Sequence, residues 1–167
     1  TMVEMSIKAL SAAVVRQAVL DAVLGAGPGG AELALLDVRE TGTFGDSHLL
    51  HARSLPLSRL ELLIDDLVPR KTVPIILCAG DATDDGLIVL AAKRLADIGY
   101  TDLAFLQGGV AAWGEAGFEI FSGVNVPSKA FGEFVEHTYD TPRVPAAEVR
   151  AMIDRGDNMV VLDSRPM

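Results

Sequence analysis

The stretch "IILCAGDATDD", residues 75–85, holds the only cysteine in the chain. An apolar run that ends in Cys78 and opens into Ala79, Gly80, Asp81, Ala82 and Thr83 puts a thiol where a strand hands over to a loop. A thiolate in that position is a candidate nucleophile. A thiol ordinarily titrates near pH ~8.5, so a nucleophile working at neutral pH needs help. Backbone N–H groups of the loop, together with the N-terminus of a following helix, can supply it and can cradle an anionic substrate. The loop's side chains pull the other way. Asp81, Asp84 and Asp85 follow Cys78, and no Lys or Arg appears before Lys93. Each carboxylate is expected to raise the thiol's pKa and repel an anion. The structural reading makes Cys78 a small, half-buried hydrophobe at a strand end. Thr83 is then an N-cap, and Asp84 and Asp85 are first-turn acids that suit the helix dipole. Both readings of Cys78 stay open at this point.

Other candidates are weaker. His48 and His51 lie three apart, but a metal would need a third ligand, and Asp46 is the only near one. No metal site and no cofactor is expected. "GAGPGG" (Gly25 to Gly30) follows a helical segment and precedes a strand, the wrong order for cradling phosphate. Trp113 is expected in the core.

The elements that must position Cys78 alternate. Ser11 to Gly27 reads as a helix, with Ser11 at its N-cap and glycines at its end. Leu33 to Val38 and Thr72 to Cys78 are apolar runs with a buried-strand look. Ser58 to Pro69 reads as a short amphipathic helix stopped by proline, and Asp84 to Gly99 as a longer one. Asp102 to Gly109 is a strand and turn, and Val110 to Gly117 a short helix. This alternation predicts an α/β fold: a doubly wound parallel sheet with helices on both faces.

Beyond Gly117 the periodicity lapses. Phe121 to Val144 reads as a linker whose aromatics, Phe121, Phe131, Phe134 and Tyr139, are expected to pack on something. The opening of the chain then recurs: "SAAVVRQ" (Ser11 to Gln17) returns as "PAAEVRA" (Pro145 to Ala151), and "LLDVRE" (Leu35 to Glu40) as "VLDSRP" (Val161 to Pro166). Two matched segments in the same order predict an internal repeat. The expected domains are 6–120, a linker over 121–143, and the start of a second repeat over 144–167 that continues past Met167.

The bulk composition narrows the partners. The 167 residues carry a net charge of −9 and half are apolar. Such an acidic chain offers no basic face for nucleic acid or an anionic membrane, so neither is expected as a partner. One cysteine forms no internal disulfide, and a reducing, cytoplasmic setting is expected. No stretch approaches the ~20 apolar residues of a membrane span.

The ordered set of pieces resembles the rhodanese family. Asp37 and Arg39 match its D-x-R strand end. His48, Ala52, Pro56 and Leu57 match its G-H-I-x-G-A-x-x-x-P-L loop, with Ser47 and His51 standing where glycines are usual. Cys78 matches its active cysteine at a strand end, and Leu106, Gly108, Gly109, Trp113 and Gly117 match its L-x-G-G-x-x-x-W-x-x-x-G close. The resemblance covers roughly residues 6–120 and the start of a second copy after Val144. It implies sulfur transfer, in which a cysteine thiolate takes the outer sulfur of thiosulfate or a mercapto acid as a persulfide and passes it to a thiophilic acceptor. Asp37, Arg39 and His48 would support the loop. The partners implied are a small anionic sulfur compound and later rhodanese repeats of the same chain. The chain departs from the family in its Cys loop, which lacks the usual Arg or Lys and is longer than usual before the helix. Two further readings therefore remain. One is a non-catalytic structural or recognition module serving a catalytic repeat beyond Met167. The other is a phosphoester enzyme like the dual-specificity cell-cycle phosphatases, which would want an arginine at the end of the loop; that position here holds an acid or glycine.

Overall fold

The computed structural model describes residues 7–25, 32–123 and 142–162, and within the intervening segment residues 128, 131, 132, 135 and 138–140. Two compact units emerge, Thr1–Pro127 and Ser128–Met167. The first unit contains a five-stranded, wholly parallel sheet. Its strands are β1 (Lys8–Leu10), β2 (Ala34–Asp37), β3 (Arg53–Ser54), β4 (Ile75–Cys78) and β5 (Leu103–Leu106), in the order β1-β5-β4-β2-β3. The helices are α1 (Ala12–Leu24), α2 (Thr41–Asp46), α3 (Leu60–Leu67), α4 (Asp85–Asp97) and α5 (Gly109–Glu115).

Every residue of β4 is buried, as expected of a strand covered on both faces. Successive side chains of a strand alternate in direction, and the two cores follow that alternation. Leu36, Ile75 and Leu77 face α3 and α4, packing with Leu60, Ile64, Ile88, Ala91 and Leu95. Leu35, Ile76 and Cys78 face the other way, with Val15 and Val19 of α1, Phe44 of α2, and Val110 and Trp113 of α5. Each fully buried Leu or Ile contributes about 1.5–3 kcal/mol relative to an exposed one. The doubly wound parallel sheet predicted from the alternation is the one observed.

Strand order places the site. The chain leaves β2 toward β3 on one side, then returns past β2 to β4 and moves on to β5. The carboxyl ends of β2 and β4 therefore flank the point where connectivity reverses, the usual location of a ligand crevice in an open α/β sheet. Asp37 and Cys78 terminate those two strands and are register partners.

Several expectations need correction. Thr83 does not cap α4. The loop makes a 3-10 turn over Ala82–Asp84, and Asp81 is its N-cap, accepting from the Thr83 N–H at 2.7 Å and from its hydroxyl at 2.6 Å. Cys78 is fully rather than half buried. Ser11 sits at the N-cap of α1 but its side chain makes no capping bond. Of the linker aromatics, Phe121 is half-buried and bridges to His48, whereas Phe131 and Tyr139 are exposed. Phe134 lies outside the described residues, as do 26–31 of the glycine-rich stretch.

In the second unit, α6 (Ala146–Arg155) starts after Pro145 and ends at Gly156 in the left-handed conformation, as α1 ends at Gly25. None of its residues is buried, and Ile153, Val160, Val161 and Leu162 are exposed. Residues 163–167, which hold most of the repeated "VLDSRP", lie outside the described residues. No helix among the described residues is long and apolar enough to cross a membrane.

Candidate active site

Cys78 ends the central strand, with its side chain on the α1/α5 side of the sheet and 0% exposed. Its pKa is pushed well above a thiol's ordinary value. Burial is the largest cause, followed by the negative charge of Asp37. Arg39 opposes them, and a hydrogen bond to Asp37 adds to the rise. The acids that raise it are therefore not the ones expected. The carboxylate that raises it is Asp37, from the neighbouring strand, rather than one of the loop acids Asp81, Asp84 or Asp85. A cation also stands close, although the loop itself holds none, because Arg39 leaves the end of β2 and lowers the thiol's pKa.

Asp37 and Arg39 form one unit. The guanidinium forks onto the carboxylate, with Nη2 to Oδ2 at 2.7 Å and Nε to Oδ1 at 3.0 Å, while the Arg39 N–H adds a bond to Oδ1 at 3.0 Å. Asp37 is 0% exposed and Arg39 6%. Burial tends to lower the arginine's pKa, but the hydrogen bond and charge of Asp37 outweigh it and the net shift is upward. A bidentate fork of this kind is the geometry that makes a buried pair tolerable. Arg39 Nη2 also donates to the Ser47 carbonyl at 2.6 Å, joining β2 to the segment that precedes His48.

His48 is buried. Its Nδ1 donates to the Phe44 carbonyl at 2.9 Å, its ring stacks on Phe44 with centroids 4.1 Å apart, and its backbone exchanges two hydrogen bonds with Phe121. His51 points elsewhere, into a cleft shared with Leu49, Trp113 and Phe118. Among the described residues no group of three His, Cys, Asp or Glu side chains is placed to hold a metal ion.

The rest of the loop divides. Ala79 is buried and its carbonyl accepts the Val110 N–H, and the Gly80 carbonyl accepts that of Ala111, both at 2.9 Å. The first turn of α5 is thus tied to the residues just after Cys78. Gly109 makes that approach possible: a Cβ there would stand 2.4 Å from the Ala79 oxygen. Asp81, Ala82 and Thr83 are exposed and turn away, their polar groups satisfied within the 3-10 turn. Asp84 turns inward. Its Oδ2 accepts the Gly80 N–H at 2.9 Å.

The structure therefore brings Cys78, Ala79, Gly80, Asp37 and Arg39 together, keeps His48 one hydrogen-bonded segment away, and leaves Asp81, Ala82 and Thr83 at the rim. Sequence reasoning missed two contributors. Asp84 looked like any first-turn acid, and only its return to Gly80 distinguishes it. The Gly108-Gly109 pair was legible as a motif, but its role against the Cys loop was not. Shallow clefts flank the loop, one bordered by Ala82, Asp85, Gly108 and Ala112, another by Val38, Arg39, Leu57 and Arg94; Cys78 lines neither.

Comparison with known proteins is consistent with this geometry. The family profile described as "Rhodanese-like domain" matches residues 22–116, more than half of the chain. A thiosulfate sulfurtransferase from Pseudomonas aeruginosa is similar over 96% of this chain at 46% identity, with a TM-score of 0.82, but that alignment takes in only 28% of the Pseudomonas chain. The rhodanese-like domain of the Alr3790 protein from Anabaena sp. is 26% identical over 59% of this chain and 92% of its own, with a TM-score of 0.51. The uncharacterised protein YqhL of Bacillus subtilis (strain 168) is 35% identical over 80 residues, which are 48% of this chain and 60% of that protein. The chain thus spans well under two thirds of the Pseudomonas relative and about 60% of the Bacillus one.

Proposed function

Because the chain belongs to the rhodanese-like domain family, we propose that it serves a sulfurtransferase, one that moves sulfane sulfur from thiosulfate or a mercapto acid to a thiophilic acceptor through a cysteine persulfide. Within that protein this domain is a non-catalytic module, and the sulfur-carrying cysteine lies in a further repeat of the longer protein. The observation that carries this reading is the state of the Cys78 loop. The thiol is 0% exposed and its pKa is raised, so the thiolate that must attack sulfur is scarce at neutral pH. The Gly80 N–H, which an anion would need, is already bonded to Asp84.

The repeat reading draws support from two sides. The first-repeat helix α1 and α6 begin and end alike, and among the described residues of the second unit α6 has no strand beside it and none of its residues is buried. The sulfurtransferase relative from Pseudomonas is several times longer than this chain. In this reading residues 144–167 are the start of a second rhodanese-like repeat, separated from the first by 121–143.

A second reading keeps the chemistry here, and one observation favours it: Cys78 ends the central strand at the crevice, with Arg39 near enough to lower its pKa. In that case the Cys78 thiolate attacks the outer sulfur of thiosulfate, an S–S bond forms, and sulfite leaves with the electron pair of the broken bond. The test is intact-protein mass after thiosulfate treatment and desalting. The closed reading expects no added sulfur on the folded chain, with Cys78 alkylated only after denaturation. A gain of one sulfur atom, absent in Cys78→Ser and discharged by cyanide, would establish the second reading instead.

A further inference from the structure

Of the three acids after Cys78, one behaves differently from the others. Asp81 is engaged by Thr83, and Asp85 is exposed. Asp84 is half-buried, and its Oδ2 lies 2.9 Å from the Gly80 nitrogen. A Cβ added to Gly80 would stand 2.7 Å from that same oxygen, 3.7 Å from Arg39 Cδ and 3.8 Å from Arg39 Nη1. A carboxylate oxygen, a loop N–H and a guanidinium that is 6% exposed therefore converge above Gly80. Arg39 senses the charge of Asp84 as well as that of Asp37.

Those donors are the ones an oxyanion arriving from solvent would seek: a backbone N–H two residues after the thiol, a fixed cation, and the N-terminus of α4. The chain supplies its own anion instead. An oxygen held four residues away in sequence competes at an effective concentration on the order of millimolar or more, so a dilute external anion loses. We infer that Asp84 is the residue that closes the Cys78 loop to sulfur oxyanions, its carboxylate sitting where the charged end of a thiosulfate-like donor would bind. This rests on the reading that the loop is closed in this domain, and it names the group that closes it.

The experiment measures thiosulfate and sulfate binding by calorimetry to the native chain, Asp84→Gly, Asp84→Asn and Asp85→Asn. Asp85→Asn makes the same charge change at the neighbouring exposed position. Asp84→Gly should bind thiosulfate at least tenfold more tightly than the native chain. Asp84→Asn, which keeps an oxygen for Gly80 but loses the charge, should gain less, and Asp85→Asn should match the native chain. A folded Asp84→Gly with unchanged affinity overturns the inference, as does an equal gain in Asp85→Asn. If Asp84→Gly fails to fold, Asp84→Asn decides: a gain no larger than that of Asp85→Asn overturns it. Sulfur loading of native Cys78 would remove the closed reading itself, whereas no gain in the Asp84 variants with an unloaded native chain removes only the role of Asp84.

Discussion

Asp37 and Cys78 stand side by side at the carboxyl ends of β2 and β4, paired in register and both fully buried. The pairing sets a carboxylate beside a thiol where water cannot screen either. The thiol therefore keeps its proton to a pH at which an exposed thiol would have lost it. In the unfolded chain Cys78 titrates near ~8.5. The folded pKa lies above that, so the native state binds the proton more tightly. Its contribution to stability is complete below the unfolded pKa and is lost as pH rises from there toward the folded pKa. Urea midpoints measured from pH 7 to pH 10.5 should fall more steeply in the native chain than in Cys78→Ala. Converted to unfolding free energies, the extra slope of the native chain should grow above pH ~8.5 toward a ceiling of about 1.4 kcal/mol per pH unit. Parallel pH profiles for the two proteins would show that the thiol is not shielded.

Arg39 lowers the pKa of Cys78, and it reaches that position through its fork on Asp37. Removing one partner of a buried pair leaves the other uncompensated, which costs about 3–5 kcal/mol. Arg39→Met should lose stability of that order in a denaturant titration. Arg39→Lys should recover only part of it, because an ammonium cannot span both carboxylate oxygens and the Ser47 carbonyl together. Full rescue by lysine would mean that charge alone matters there.

What the sequence disclosed follows from the range of the forces involved. The runs Leu33 to Val38 and Thr72 to Cys78 are apolar on both faces, and that pattern alone implies covered parallel strands. β1 and the two-residue β3 carry no comparable pattern; they are strands because neighbours pair with them. The helix α2, "TGTFGD", has two glycines and weak propensity, and Phe44 anchors it to the core. The Cys loop was legible as a place and not as an electrostatic environment. Counting acids in sequence pointed to Asp81, Asp84 and Asp85, whereas the fold sets Asp37 against the thiol and turns Asp84 onto Gly80. Which charge faces which atom is decided by strand register and loop turns, and composition records neither.

Gly109 connects the loop to α5 and should tolerate no side chain. Its φ is +59°, and a Cβ would meet the Ala79 oxygen at 2.4 Å and the Gly80 oxygen at 2.7 Å. These are backbone atoms of the Cys loop and cannot swing aside. Gly109→Ala should cost about 2–4 kcal/mol from the backbone strain and the displaced loop together. Gly42, in α2, has nothing within 4 Å of its Cβ position and no positive φ. Gly42→Ala should be neutral, or stabilising by up to ~1 kcal/mol. Thermal melts of the two variants check the contrast, and equal effects would argue against a close approach at Gly109.

His48 follows Ser47, whose carbonyl is an Arg39 partner. Its ring is fixed by Phe44, its backbone by Phe121, and the carbonyl just before it accepts from Arg39 at 2.6 Å. His48→Ala removes a buried ring with a satisfied hydrogen bond and should cost about 2–4 kcal/mol. The consequence specific to this arrangement is coupling. If the ring serves to hold the Ser47 carbonyl in place, then losing it already spoils the bond that Arg39 makes there, and adding Arg39→Lys should do less further damage. The double variant should therefore be more stable than the sum of the single losses predicts, by about 0.5–1 kcal/mol or more. Denaturant titrations of the four proteins in the cycle give that number directly. Strict additivity would mean that His48 packs the core without positioning the Arg39 partner, and its link to the Cys78 environment would be lost.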